Sequence, residues 1–273
     1  MRFQRPFLRT LLVIGLFLAF GVSSLVAVAA QAAADEPARP FPGGRYFVIG
    51  CGFSHANNDD AIALGGKPGS AHNHTYIGNR VVDAFTTPTT LLGGASSCGD
   101  SGDSSAYWVP TLFAGGRPLR PLAGVAYYVR RTSGPVQSIP AGLKLIAGDQ
   151  RARKPQSLGV AGWGCGGLDA TPRFASIPSC GPDRSLHFRV TFPNCWNGDD
   201  LDSADHKRHV TYSAGGRCPG SHPVAIPTIV LIFLYPSTEH GRPLQASGRF
   251  GAHGDFINGW EQETLARLVR ALN

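Results

Sequence analysis

Leu186, Phe188, Val190 and Phe192 alternate with His187, Arg189 and Thr191, the period of two that gives a strand one apolar and one wet face. From Ile229 to Tyr235 the chain is instead almost continuously apolar, which predicts a strand covered on both sides. Together these segments predict two packed layers. β-rich runs are predicted at Tyr46–Phe53, His74–Ile77, Tyr107–Phe113, Val125–Arg131, Leu143–Ala147, Ser185–Phe192, His209–Tyr212 and Thr228–Tyr235, separated by Gly, Pro, Asn and Asp. Trp260, Leu265, Leu268, Val269 and Leu272 recur at helical spacing, with Asn258 as the expected cap and Glu261 three residues later. The stretch from Asp149 to Arg184 shows neither period and is expected to be the least structured, pinned by its two cysteines. The expected fold is mainly β: a β-sandwich or jelly-roll-like single domain with long disulfide-pinned loops and a C-terminal helix.

The ends refine this picture. Arg2, Arg5 and Arg9 precede an apolar run from Leu11 to about Val28 that closes in small residues, the build of a signal peptide over residues 1–34. A retained anchor is disfavoured, because the run is near the lower limit for spanning a bilayer and ends in Ala rather than Leu. Gln4 stands where a twin-arginine signal needs its first arginine, so general secretion is expected, with no stable membrane span after cleavage. Residues 35–44 hold three prolines and no apolar period and read as an extended lead-in to a domain over 45–273. Losing the leader's three arginines lowers the formal charge from +7 to +4, too mild to argue for nucleic acid. Cys51, Cys98, Cys165, Cys180, Cys195 and Cys218 all follow the leader, and an even count in an exported chain favours a disulfide framework. Order along the chain suggests pairing neighbours in sequence, although six cysteines allow about 15 pairings. There is no Cys-x-x-Cys, which removes support for a thiolate zinc site or a redox dithiol.

Histidine and aspartate gather in turn-rich segments: His55 with Asp59 and Asp60, His72 with His74, Asp205 and His206 with His209, His222, and His253 with Asp255. If His72 and His74 lie on a strand, both imidazoles face one side; His206 and His209 share a face if their segment makes a helical turn. Two such pairs offer the neutral nitrogens that Zn²⁺ or Cu²⁺ prefers, with an Asp as a further ligand, so a divalent metal is a possible cofactor. The competing reading is that the imidazoles and carboxylates close turns by bonding backbone. Asp59, Asp60, Asp205 and Asp255 are also the candidates for an acid and base pair in glycoside hydrolysis. Trp108, Trp163, Trp196, Trp260, Tyr127 and Tyr128 are the candidate sugar-stacking rings, most of them expected in the core. The chain has no Gly-x-Ser-x-Gly elbow, phosphate-binding Gly-rich loop or His-Glu-x-x-His, which weighs against serine hydrolases, nucleotide enzymes and common zinc proteases.

A series of motifs runs in order: Cys51-Gly-Phe-Ser-His55, Asp59-Asp60, His72-Asn-His74-Thr-Tyr-Ile-Gly-Asn79, Ala106-Tyr-Trp-Val-Pro110, Phe192-Pro-Asn-Cys-Trp-Asn-Gly198, Asp205-His-Lys-Arg-His209-Val-Thr-Tyr212, Cys218-Pro-Gly-Ser-His-Pro223 and His253-Gly-Asp-Phe-Ile-Asn-Gly-Trp260. In these the chain resembles the domain-of-unknown-function family numbered nineteen ninety-six, from about residue 45 to 268. Asp60-Ala-Ile-Ala63 stands where that pattern usually has Asp-Pro-Ile-Val, and Tyr76 where it has Phe. The resemblance implies an exported protein and brings no reaction. It implies as site residues the polar members of the shared motifs: His55, Asp59, Asp60, His72, His74, Asp205, His206, His209, His222, His253 and Asp255. The expected function is a secreted carbohydrate-active hydrolase or lyase whose partner is an extracellular polysaccharide or cell-wall glycan. A non-catalytic glycan-binding protein and a metal-binding protein are the alternatives.

Overall fold

The computed structural model describes residues 39–40, 45–168, 172–237 and 243–273. The predicted signal peptide and most of the lead-in lie outside the described residues. In chain order the strands are β1 (Arg39–Pro40), β2 (Tyr46–Cys51), β3 (Phe53–Asn57), β4 (His74–Gly78), β5 (Ala106–Pro110), β6 (Leu112–Ala114), β7 (Arg117–Leu119), β8 (Ala123–Val129), β9 (Lys144–Gly148), β10 (Ala161–Cys165), β11 (Ser185–Thr191), β12 (Cys195–Trp196), β13 (Val210–Thr211), β14 (Val224–Ala225), β15 (Thr228–Ser237), β16 (Leu244–Gln245) and β17 (His253–Ile257). A single helical turn at Pro88–Leu91 and a C-terminal helix at Gln262–Arg270 complete the described elements.

Two antiparallel sheets form the body. The first has the order β1-β2-β8-β15-β11-β10 and the second β3-β4-β5-β17-β9, with two small three-stranded sheets, β13-β12-β14 and β16-β6-β7, at the periphery. The apolar run of β15 sits between β8 and β11, as an almost uninterrupted hydrophobic strand requires. The two large sheets pack face to face. A Cβ on Gly124 of β8 would overlap the side chain of Ile77 on β4, and one on Gly254 of β17 would lie 2.6 Å from Val190 of β11. Across this interface Tyr107 and Tyr128 join hydroxyls at 2.6 Å, and Trp260 donates its indole N–H to Tyr128 at 3.0 Å. The main core therefore lies between the sheets, as the period-two pattern predicts.

Four expectations need correction. The run Tyr46–Phe53 is not one strand: the chain breaks at Gly52 and crosses from the first sheet to the second. The run Tyr107–Phe113 likewise splits at Thr111 into β5 and β6. The stretch taken as least structured contains β10, the edge of the first sheet. The C-terminal helix is capped by Glu261, whose carboxylate accepts from Glu263 N and Thr264 N, while Asn258 donates its amide to the carbonyls of Ile139 and Pro140. Buried carbonyls without strand partners need that amide more than the helix does.

The disulfides join Cys51 to Cys98, Cys165 to Cys180 and Cys195 to Cys218. This is the pairing of sequence neighbours, and it fits an oxidising compartment. No helix among the described residues is long and apolar enough to cross a membrane.

Candidate metal centre

The outer face of the second sheet is not wet. Register places Tyr76, Trp108, Asp255 and Ile146 in one lateral row across β4, β5, β17 and β9. Ala61, Ile62, Val82 and Leu91, from the loops on either side of β4, cover this row as a second small core. A buried carboxylate in such a row needs a reason beyond packing.

The reason stands beside it. His74 opens β4 opposite Pro110 of β5, and His253 opens β17 two residues before Asp255 on the same face. β4 and β17 flank β5, about 10 Å apart at ordinary strand spacing, yet the two imidazoles lean over Pro110 until their Nε2 atoms are 3.4 Å apart. Both are nearly inaccessible, with exposures of 0% and 2%. His72, just before β4, completes the group: one ring nitrogen of each of the three histidines lies within 4.8 Å of the other two.

Hydrogen bonds fix the tautomers. His74 Nδ1 lies 2.8 Å from the carbonyl of Asp59, and His253 Nδ1 lies 2.7 Å from that of Gly251. A carbonyl only accepts, so each Nδ1 carries hydrogen and donates, and each neutral ring turns the bare lone pair of Nε2 towards the other. Burial pushes the pKa of both rings below the usual imidazole value, His253 to about 3 and His74 in the same direction, reinforced for His74 by His253 and His72. Burial lowers His72 too. No proton is therefore held between the nitrogens at neutral pH. His72 Nε2 and Asp255 Oδ2 are buried without a hydrogen-bond partner, and Asp255 Oδ2 is 3.6 Å from His253 Nε2. Burial, then the neighbouring Asp60, raises Asp255 well above the carboxylate range. Asp60, 2% exposed, anchors the covering loop by accepting from Ile62 N and Ala63 N through Oδ1, and burial raises it as well.

The structure thus brings together five of the residues singled out in the sequence: His72, His74, His253, Asp255 and Asp60. His206 stands near Asp60 at the margin and bonds Asp202, which also pairs with Lys144 at 3.1 Å. The helical turn that would put His206 and His209 on one face is absent, since His206 has φ of 57°, and the two rings serve different partners. His55 stacks on Tyr76 at 4.5 Å and bonds the carbonyl of Val82. His209 bonds the carbonyl of Lys144 and His222 that of Arg208. Asp59 accepts from Gly69 N; Asp205 accepts from Lys207 N and Arg208 N, which hold its carboxyl below the usual range. These five side chains brace the backbone of neighbouring segments rather than join the cluster.

Sequence reasoning missed two contributors. Tyr76 donates its hydroxyl to the same Asp59 carbonyl at 2.6 Å that receives His74, and only its spacing of two from His74 could have signalled it. Lys207 reaches back to donate to the carbonyl of Gly148, opposite His253 across β17 and β9, a contact without a local signal. Of the candidate stacking rings, Trp108, Trp163, Trp260 and Tyr128 are core residues, and half-buried Trp196 donates its indole N–H to Asp200 O. A second grouping, Cys51, Cys98 and Asp103, offers no thiolate because its cysteines form a disulfide.

A disulfide-stapled β-sandwich with a buried histidine cluster on the outer face of one sheet defines the class of protein. The sequence profile of a domain of unknown function, DUF1996, matches residues 60–260, and the chain belongs to that family. Neither a curated protein nor a solved structure matches the chain.

Proposed function

We propose that this protein is an exported metalloprotein in which His72, His74 and His253, with Asp255 beside them, hold one transition-metal ion, Zn²⁺ or Cu²⁺, and that this centre serves an extracellular enzyme. One observation carries the reading: two imidazole nitrogens approach to 3.4 Å although the hydrogens of both rings are committed elsewhere. Facing lone pairs repel unless a cation lies between them. Two nitrogens bound at about 2.0–2.1 Å to a tetrahedral Zn²⁺ are about 3.3 Å apart. Carbonyls that receive the remote Nδ1–H are the usual outer support of metal-bound imidazoles.

A bound divalent ion would supply Lewis acidity and an acidified water. The chain's own residues supply the rest. His72, the most exposed of the three, lies nearest the surface; Asp255 offers a carboxyl oxygen to take or return a proton; Tyr76 and the Asp59 carbonyl fix the His74 ring. Burial favours this chemistry over a pair of catalytic aspartates. Asp60 and Asp255 are 2% and 1% exposed, whereas two carboxyls that bracket a glycosidic bond need an open cleft.

Metal analysis of protein purified without a histidine tag tests the proposal. About one equivalent of Zn²⁺ or Cu²⁺ is expected after incubation with the ion, and a small fraction of that in His74→Ala and His253→Ala. Less than about 0.3 equivalents in the wild-type protein would overturn it. Glycan binding without turnover by the metal-loaded protein would leave the centre in place and remove the enzymatic part.

A further inference from the structure

Three separate segments that meet around His253 carry a concentration of cations. Residues 149–156 carry Arg151, Arg153 and Lys154; residues 205–208 carry Lys207 and Arg208; residues 248–252 carry Arg249. Against these six cations the same segments hold two carboxylates, Asp149 and Asp205. Both acids are engaged in their own turns, Asp149 accepting from Arg151 N and Asp205 from Lys207 N and Arg208 N. All six basic residues are exposed. None forms an ion pair with a carboxylate among the described residues.

Hydrogen bonds place the three segments around His253. Lys207 Nζ donates to Gly148 O at 2.7 Å, and Gly148 faces His253 in the β9–β17 register. Gln156 donates to Phe250 O at 2.6 Å and Ala252 O at 2.8 Å, and receives Asp149 N at 2.8 Å, which closes the 149–156 loop over the residues before β17. The carbonyl that orients His253, that of Gly251, lies inside this frame. The acidic turn around Asp199 and Asp200 belongs to the other end of β9, where Leu201 O receives Lys144 N.

We propose that this basic rim binds a uronate-bearing polysaccharide and seats a sugar carboxylate on the His253 side of the His72–His74–His253 centre. The proposal rests on the metal reading for what lies beneath the rim, and the rim stands without it. Four of the six cations are arginines, whose planar forks match a carboxylate with paired hydrogen bonds. The described residues of the rim include no helix N-terminus of the kind that selects phosphate. Phe250 is the aromatic of the rim, and Arg249 lies over its ring at 5.1 Å, so no bare platform is offered to nucleic-acid bases.

Affinity electrophoresis of the purified protein in gels containing polygalacturonate, its fully methyl-esterified form or polyphosphate tests this. Retardation by polygalacturonate is expected, at least tenfold stronger than by the ester and than by polyphosphate, and weakened at least tenfold in an Arg151→Gln, Arg153→Gln, Lys154→Gln variant whose metal content is unchanged. Equal retardation by acid and ester, stronger retardation by polyphosphate, or wild-type retardation of the variant would overturn it. His74→Ala separates the two readings: loss of metal with retained retardation supports both. A wild-type protein that takes up no metal yet is retarded by polygalacturonate supports the rim and overturns the centre.

Discussion

What separates the clustered histidines from the bracing ones in this protein is the choice of nitrogen. His55, His209 and His222 each give the Nε2 hydrogen to a backbone carbonyl and turn Nδ1 to a serine hydroxyl. His74 and His253 do the reverse and leave Nε2 free. The residue type was legible in the sequence and the nitrogen was not, because it depends on which carbonyl the fold brings to the ring. Tyr76→Phe keeps the stacking on His55 but removes the hydroxyl that steadies the Asp59 carbonyl. Zn²⁺ affinity measured by competition with a chromophoric chelator should fall roughly 10-fold, the usual scale for an outer-shell partner, while Tyr76→Leu should also lower the unfolding temperature. The buried rings set an acid limit. A ring whose folded pKa lies below its unfolded value near 6.5 stabilises the fold above that pH and loses the contribution as pH falls. For His253 the loss runs from about 6.5 towards about 3, and His74 adds in the same direction. Thermal melts of chelator-treated protein should show the midpoint dropping between pH 7 and pH 4, with a shallower drop in His253→Gln. An equal slope in both would exclude the ring as a source.

At the level of elements, the strands that alternate or run apolar were legible: β11 and β15 are where the pattern placed them. β17 was not, although it carries His253 and Asp255. Its sequence, His253-Gly-Asp-Phe-Ile257, holds a glycine and an aspartate that propensity assigns to a turn. Packing on both faces overrides that preference, because Gly254 lets the strand approach Val190 while the residues on either side of it face the cluster. β10 escaped for a related reason: Gly164 leaves the space that the His187 ring occupies, and glycine weakens any strand signal. Gly254→Ala should therefore act on both faces. Its methyl would crowd Val190, a misfit expected to lower stability in urea titrations by about 1–3 kcal/mol, and the displaced strand should weaken metal uptake as well. Unchanged stability would show that the sheets can part at no cost.

For the whole molecule, the disulfides divide by task. Cys51–Cys98 spans 47 residues and encloses β3, β4 and the loops that cover the outer face of the second sheet, a closure worth about 4 kcal/mol on chain-entropy grounds. Cys165–Cys180 spans 15 residues at the edge of the first sheet. The paired substitution Cys51→Ala, Cys98→Ala should lower the unfolding temperature and the Zn²⁺ affinity together; Cys165→Ala, Cys180→Ala should lower the temperature alone. Calorimetry and metal titration of the two variants would distinguish them, and equal metal affinity in both would refute the division. His74 and His253 stand 179 positions apart. A chain threaded from its N-terminus delivers the first pair of imidazoles long before the third, so no nascent intermediate possesses the finished trap. On the metal proposal, the ion is then drawn from the pool around the protein once His253 has joined the first two rings, and the composition of that pool, as much as ligand chemistry, decides the occupant.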